Sequence, residues 1–463
     1  MKYFKNLSYL RVIAIHAAWG GQTCECIYQK ENMMLKKLFG EQNMGRKQKN
    51  IWLRIISIFC IMIIAFVLML TLVMCIPNSA IKQNYDRSME VFEQEGDGWN
   101  RVYTYASGSM IDNLTDSIII SETMVNDNCS PLSNALSGNG YSRYWHGYLV
   151  WVRPLLVLFS YLDIRYILMV VLMFLLAACT LGLNDRLGRG AAWIFTLCMV
   201  LAYFIMVPWS LQFCEVFLIT MTALVYITKR YSASKTVAFT GEMFLIIGMV
   251  TQYLDFLTAP LVTLGLPLCA VLLINAKELG RDSIIKNWAV LIHSCITWAV
   301  GWAAGWAAKW IVGTAILRRN IIEDALNQAS FRVSGNDTSK VSRITALAKN
   351  IYSAMPFSNV IGKGEKGAMI LVAALYIAVF VLMAVLWIKY RKKTESAVYL
   401  PIAATALLPV AWVIVMGQHS QIHFFYTYRM FIISWFALLT AYAGCIDWRA
   451  LKCSISGMKK NRS

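Results

Sequence analysis

The sequence predicts an all-α, polytopic integral membrane fold, with about ten transmembrane helices and two long extracytoplasmic loops that contain interfacial helices. Three observations carry this expectation. Hydrophobic residues make up 58% of the 463 and charged residues 15%, too apolar a balance for a soluble domain of this length. Apolar stretches recur at 55–76, 164–183, 191–206, 215–228, 237–250, 259–274, 288–316, 368–388, 398–416 and 430–446. Several reach the roughly 20 helical residues that a hydrocarbon core of about 30 Å requires. Finally, alternate short connections hold Arg186 and Arg189, Lys229 to Lys235, Lys277 to Lys286 and Lys389 to Lys393, followed by a basic tail from Arg449, whereas the short loops on the other side hold only Arg429. Loop bias of this kind sets topology, so both termini are expected in the cytoplasm of a multi-pass plasma-membrane protein.

Taken in chain order, residues 1–50 read as a cytoplasmic extension, either disordered or upstream of the true start. The segment 9–19 is weakly apolar, interrupted by Arg11 and His16 and too short to span, and no small-residue cleavage site follows it. The polytopic domain is expected over 51–446, entered through the basic flank Arg46-Lys47-Gln48-Lys49, and 447–463 is a basic cytoplasmic tail. The net charge of +18 would point to nucleic acid in a soluble protein. Here most of it lies in the cytoplasmic loops and ends, where anionic lipid headgroups are the natural partner, and no base-stacking or groove-reading module accompanies it. The twelve cysteines form no disulfide framework. Cys60, Cys179, Cys198, Cys269, Cys295 and Cys445 fall inside apolar stretches as small apolar residues, Cys129 lies in a loop, and Cys24 and Cys26 lack zinc-site spacing.

Only two connections are long, 77–163 and 317–367, and both fall outside. Large loops confined to one face point to a site built there. In the first, 109–125 reads as a helix that places Asp112 and Asp116 on one face, four residues apart, and 131–140 is a Ser/Asn/Gly-rich turn region. The apolar stretch 144–161 contains Arg153 followed by Pro154. As a span it would set a charge in mid-membrane, at about 2.5–3.5 kcal/mol, and invert every later loop. A helix in the outer interface, anchored by Trp145, Tyr148 and Trp151, costs less. The second loop has two amphipathic stretches, one lined by Ile321, Ile322, Ala325, Leu326 and Ala329, the next by Val341, Ile344, Leu347, Ala348 and Ile351, with Ser334-Gly335-Asn336-Asp337 as a breaker between them. Its basic residues (Arg318, Arg319, Arg332, Lys340, Arg343 and Lys349) would gather phosphate groups.

Each candidate residue has a plain alternative. Asp112 and Asp116 suit a general base with its partner, or a divalent-metal site, against an ordinary solvated helix. His419 and His423 share a helical face, and Arg429 enters the last stretch where a guanidinium can grip phosphate bidentately or snorkel to the interface. His146 with His419 and His423 would make a zinc site only in a fold that gathers them. Arg143 is placed to hold phosphate; Arg165 anchors the second span or pairs with Asp163 or Asp255; Asp255 itself is a polar group at the membrane rim. Trp298, Trp302, Trp306 and Trp310 recur every four residues. Such a stripe stacks sugar rings or a polyprenyl chain, or packs; Gly301 and Gly305 among them favour close helix packing. No Gly-rich phosphate loop, Walker motif, His-Glu-Xaa-Xaa-His or Ser/His/Asp signature appears, so nucleotide-driven chemistry has no support.

The stretch from His146 to Pro208 carries a resemblance. It comprises His146-Gly147-Tyr148-Leu149, then Leu158-Phe159-Ser160 leading to Arg165, a span, Asn184-Asp185-Arg186-Leu187-Gly188-Arg189, a second span and Val207-Pro208. This is similar to the GT-C superfamily of membrane glycosyltransferases, of the protein-mannosyltransferase and aminoarabinose-transferase type, with its His-Pro-Pro-Leu-Tyr-like opening, Leu-Phe-Gly…Arg turn and short Gly-Arg loop. The chain also resembles polytopic membrane proteins of gut clostridia through Asp112-Asn113-Leu114-Thr115-Asp116, Tyr141 to Gly147 and His419 to Arg429, which implies a bacterial source. The GT-C likeness implies transfer of a sugar from a polyprenyl-phosphate carrier to a cell-envelope acceptor. Asp112 and Asp116 would be catalytic, and Arg143, His146, Asp255, His419, His423 and Arg429 would bind substrate. The sequence departs from the family at Asp112-Asn113, where Asp-Glu or Asp-Xaa-Asp is usual, and lacks the Pro-Pro after His146. Two other readings stay open: a flippase or exporter of lipid-linked saccharides, which predicts paired repeats and broken midplane helices, and a catalytically inactive scaffold. Nothing in the sequence specifies the sugar, the acceptor, a metal requirement or an oligomeric state.

Overall fold

The computed structural model describes residues 41–96, 98–102, 109–138, 141–336, 339–355 and 366–460. The expectations for residues 1–40, including Cys24 and Cys26, lie outside them. The chain divides into two units, 1–60 and 61–463. The described part of the first is the beginning of a long helix, α1 (Glu41–Val73), and the second contains all other elements.

Among the described residues, seven segments are long and apolar enough to cross a membrane: Leu53–Val73, Tyr161–Leu187, Leu211–Arg230, Val237–Leu254, Val262–Leu317, Glu395–Val415 and Phe424–Cys445. This is a helical, multi-pass membrane protein. Arg189–Leu201 and Ala374–Tyr390 are shorter apolar helices.

After α1 the first long loop folds into α2 (Asn78–Glu95), α3 (Asn113–Ser121), α4 (Pro131–Ser137) and α5 (Leu149–Leu156). Helix α5 occupies only the middle of the expected interfacial stretch, and Trp145 and Tyr148 are buried inside the protein instead of standing as lipid anchors. Arg153 explains its position. The guanidinium is buried and donates to the carbonyls of Val73 (3.0 Å) and Ile76 and to Asn78 Oδ1 (3.3 Å). It thereby caps carbonyls at and just beyond the end of α1, where the helix dipole favours a cation.

The apolar bundle continues with α6 (Tyr161–Leu187), α7 (Arg189–Leu201), α8 (Leu211–Arg230) and α9 (Val237–Leu254). Helix α6 starts at a capping box between Ser160 and Asp163, so Asp163 serves the helix N-terminus. The segment Val262–Leu317 is a hairpin of α10 (Val262–Leu279) and α11 (Ser283–Leu317) around the 3-10 turn Gly280–Asp282. Asn275 and Asn287 hydrogen-bond across it at 2.9 Å, and Trp298 Nε1 donates to Thr263 Oγ1 at 3.1 Å. Helices α9 and α11 approach at backbone distance: a Cβ on Gly248 would collide with the Trp298 carbonyl, and one on Gly301 with that of Leu245.

The second long loop forms α12 (Ile321–Ser334) and α13 (Arg343–Ala354), separated at Gly335 (φ 72°) by a two-residue antiparallel ribbon, Gly335–Asn336 with Ser339–Lys340. Ile321 and Ala325 are buried, whereas Ile322, Leu326 and Ile344 of the expected apolar faces are exposed. Helices α14 (Lys366–Tyr390), α15 (Lys393–Ala404), α16 (Leu408–Val415), α17 (Gly417–Ile422), α18 (Phe424–Thr427), α19 (Ile432–Cys445) and α20 (Trp448–Lys460) complete the chain. All ten described cysteines are free thiols.

Candidate functional site

The first loop is seated on the C-terminal half of α11. Trp145 Nε1 donates to the Gly305 carbonyl (3.0 Å), Trp310 Nε1 to that of Arg143 (3.1 Å) and Lys309 Nζ to that of Leu136 (2.7 Å). Beside this contact opens a cleft of about 340 Å³, walled by Tyr144, Trp302, Trp306 and Trp310, with Arg143 and Arg332 as the cations on its lining. The expected Trp stripe is therefore split: Trp298 is buried packing, and the other three indoles line the cleft.

Arg332 stands in the last turn of α12. One guanidinium nitrogen reaches His423 Nε2 at 2.9 Å and His419 Nδ1 at 3.3 Å. His419 Nε2 lies 2.7 Å from the Leu257 carbonyl, which only accepts, so that nitrogen holds the proton and Nδ1 accepts from Arg332. By the same logic His423 accepts at Nε2 and presents its proton at Nδ1, which is buried without a partner. Burial and the Arg332 charge keep both rings neutral, pushing His423 down to about 3; for His419 the His423 ring adds to the effect, and its value lies well below the usual range. Leu257 holds a left-handed backbone (φ 69°) on the cleft wall, a strained conformation for a bulky residue. Arg143 pairs with Asp324 at 3.2 Å and lies over the rings of Tyr141 and Tyr144.

Asp112 and Asp116 are both buried, yet they engage separate donors. Asp112 is the N-cap of α3: Oδ1 accepts from Thr115 N (3.0 Å) and Trp99 Nε1 (3.1 Å), Oδ2 from Thr115 Oγ1 (3.0 Å). Burial raises its carboxyl above the usual range, against the lowering effect of those donors. The Trp99 ring stands edge-on to His423 at 5.9 Å, so Asp112 adjoins the histidine cluster through one indole. Tyr426 packs on the same cluster: its ring stacks on His423 at 5.1 Å and is tilted against His419 at 5.9 Å.

Asp116 points elsewhere. Ser210 leaves the start of α8 without a side-chain cap, and Asp116 supplies one from α3, accepting from Leu211 N (2.7 Å), Gln212 N (3.1 Å) and Tyr161 Oη (2.6 Å). Burial lifts its carboxyl to about 6, opposed by those donors and the Arg165 charge. Arg165 pairs with Glu95 (2.7 and 3.0 Å), not with Asp163 or Asp255, and also holds Asn113 Oδ1 and Tyr161 Oη. Asn113 in turn donates to Glu95 and to the Gly96 carbonyl. An amide there both donates and accepts, which an ionised carboxylate cannot do.

The remaining candidates are dispersed. His146, at φ 57°, uses both ring nitrogens, on Tyr148 Oη (2.7 Å) and the Tyr141 carbonyl (3.0 Å), which leaves neither for a metal. Burial first, then the Lys309 charge, pushes it to about 3. Arg429 is buried, neither snorkelling nor on the cleft lining; it donates to the carbonyls of Ala202 and Phe425 (both 3.1 Å) and lies over Phe213. Asp255 accepts from Thr258 N at 3.0 Å, and burial raises it to about 7. Among the described residues, no group of three or more His, Cys, Asp or Glu is arranged to hold a metal ion. Trp99, Tyr426 and the individual importance of Arg332 escaped the sequence reading. Glu215, a carboxylate buried near the start of an apolar segment, had a usable signal in its intramembrane position. No protein-family model, curated protein or solved structure matches the chain.

Proposed function

We propose that this chain is a membrane glycosyltransferase of the GT-C type, moving a sugar from a polyprenyl-phosphate donor to a cell-envelope acceptor on the extracytoplasmic face. The observation that carries the reading is the cleft, in which an indole wall suited to a prenyl chain or sugar ring meets two guanidiniums suited to phosphate. Asp112 stands off the lining and connects to Arg332 on it through Trp99 and His423. In this mechanism the Asp112 carboxylate takes the proton of the acceptor hydroxyl as that oxygen bonds to the anomeric carbon. The lipid phosphate leaves with the bonding pair, and Arg332 and Arg143 hold its charge. A carboxyl raised by burial is a stronger base than a free one. Arg429, His146 and Asp116 serve as framework.

The topology belongs to the same proposal. Taking α10 and α11 as two spans and adding the two shorter apolar helices gives ten, with both ends in the cytoplasm and the cleft outside. Thiol labelling of intact cells should modify cysteines placed beside Asp112 and Ser334 and spare Lys392→Cys; labelling of the last from outside would invert the scheme.

The direct test is incubation of the purified protein with labelled polyprenyl-phosphate sugars. Turnover is expected, and Asp112→Asn should reduce it about 10²–10⁴-fold while leaving the protein folded. Donor binding without turnover by the wild-type protein would favour a lipid-linked saccharide exporter, and neither binding nor turnover would favour a scaffold.

A further inference from the structure

We infer that Asp324 is a built-in competitor for the cleft: its carboxylate occupies Arg143 until a lipid phosphate displaces it, and so sets how tightly that phosphate is held. The inference rests on the reading of the cleft as a phosphate site. Arg143 Nη1 donates to Asp324 Oδ2 at 3.2 Å, a bond that joins the first loop to the first turn of α12. Arg143 is on the cleft lining and Asp324 is not. The arginine side chain is 11% exposed and the aspartate side chain 47%, so the acid is the solvated partner of the two. An exposed carboxylate exchanges with water at little cost, which is what a displaceable partner requires.

Neither residue needs the other to keep its place. The rings of Tyr141 and Tyr144 lie 4.9 and 5.2 Å from the Arg143 guanidinium, and Trp310 Nε1 pins its backbone by donating to the Arg143 carbonyl at 3.1 Å. The start of α12 is secured by different side chains. Asn320 is the N-cap, accepting from Glu323 N at 3.1 Å and donating to Glu323 Oε2 at 2.9 Å. Glu323 thus serves the helix end, whereas Asp324 reaches across to Arg143. The two cations of the cleft therefore give up different partners to a ligand. Arg332 leaves neutral imidazole nitrogens; Arg143 leaves a charge. A phosphate can replace that carboxylate on the guanidinium, because both offer paired anionic oxygens. An uncharged head group cannot. When the lipid phosphate departs, Asp324 retakes Arg143, so the same contact that screens entry favours release.

The test is equilibrium binding of a labelled polyprenyl phosphate, and of the corresponding polyprenol, to the detergent-purified full chain. Asp324→Asn keeps the shape and removes the charge, and should bind the phosphate about two- to fivefold more tightly than the wild type, the range expected for losing an exposed ion pair. Asp324→Ala should do the same and is a second route to the answer, since alanine suits a helix position. Glu323→Gln removes an equal charge one residue away and should leave the affinity unchanged. Polyprenol should bind the wild type and every variant alike. Unchanged or weaker phosphate binding in the Asp324 variants overturns the inference. So does an equal gain in Glu323→Gln, which would make the effect one of overall charge, or an equal gain for polyprenol, which would make it one of access. Absence of phosphate binding by the wild type and all variants overturns the phosphate reading of the cleft itself, and the competitor with it.

Discussion

Arg429 and Arg332 are guanidiniums of one chain that the fold uses in opposite ways. Arg429 is enclosed, with backbone carbonyls for acceptors and the Phe213 and Tyr428 rings for walls. Arg332 lies on the lining of the cleft and is bonded to two neutral imidazoles. The first arrangement lies off the cleft, and its one nitrogen without a partner, Nη2, is buried. In the second, a phosphate competes only with uncharged acceptors and gains a charge-assisted bond in their place. The same division separates Asp116, saturated by the head of α8, from Asp112, which meets the histidine cluster through the Trp99 indole. Burial of a charge is thus no guide to function by itself; what surrounds the charge decides.

The largest effect that would test this division is on stability. Asp116→Ala strips Leu211 N, Gln212 N and Tyr161 Oη of their acceptor and leaves Arg165 beside a deleted charge. Breaking such a buried network costs about 3–5 kcal/mol, so a large fall in Tm is expected, with Asp116→Asn in between. Unchanged thermal stability in Asp116→Ala would remove Asp116 from the framework. A smaller contrast pits the two arginines against each other. Arg332→Ala should lower affinity for a polyprenyl phosphate about tenfold or more, with a stability change near 1 kcal/mol. Arg429→Ala should do the reverse, losing stability with little change in the affinity of the folded fraction. Binding of the labelled lipid alongside unfolding curves measures both, and the opposite pattern would return the phosphate role to Arg429.

Why some of this was legible in the sequence and some was not follows from the range of the forces involved. Membrane character is set residue by residue by hydrophobicity, so the apolar segments could be read directly, as could the approach of some helix to Gly301 and Gly305, though not that α9 is the one that approaches. Asp112 and Asp116 were legible as a pair on one face, but their separation was not. Asp116 faces a helix start about 95 residues away in sequence, and no local pattern announces such a cap. Arg332 was one cation among several in a basic loop, and only the approach of α17 singles it out. Arg429 drew attention through isolation in a charge count, which reports on topology and not on enclosure.

The smallest effect expected is one of pH, and it tests whether His146 belongs to the framework. The folded protein holds this imidazole neutral down to about 3, chiefly by burial, whereas an unfolded chain would protonate it near 6.5. Between those values the unfolded state binds more protons, so the sign is fixed: this contribution to stability is present above about pH 6.5 and is lost as pH falls toward 3. His419 and His423 are lowered as well and add slopes of the same sign, so removing one of the three flattens the curve only in part. His146→Asn is the informative variant, because asparagine tolerates the left-handed backbone at φ 57° better than most residues. Its Tm should be lower than that of the wild type at pH 7.5, from the lost bonds to Tyr148 and Tyr141, and should decline less steeply between pH 6.5 and 4.5. An identical decline in both proteins would mean that His146 is protonated as readily in the fold as out of it. The corner it forms with Tyr141 and Tyr148 would then be open to water and would have to be counted with the cleft.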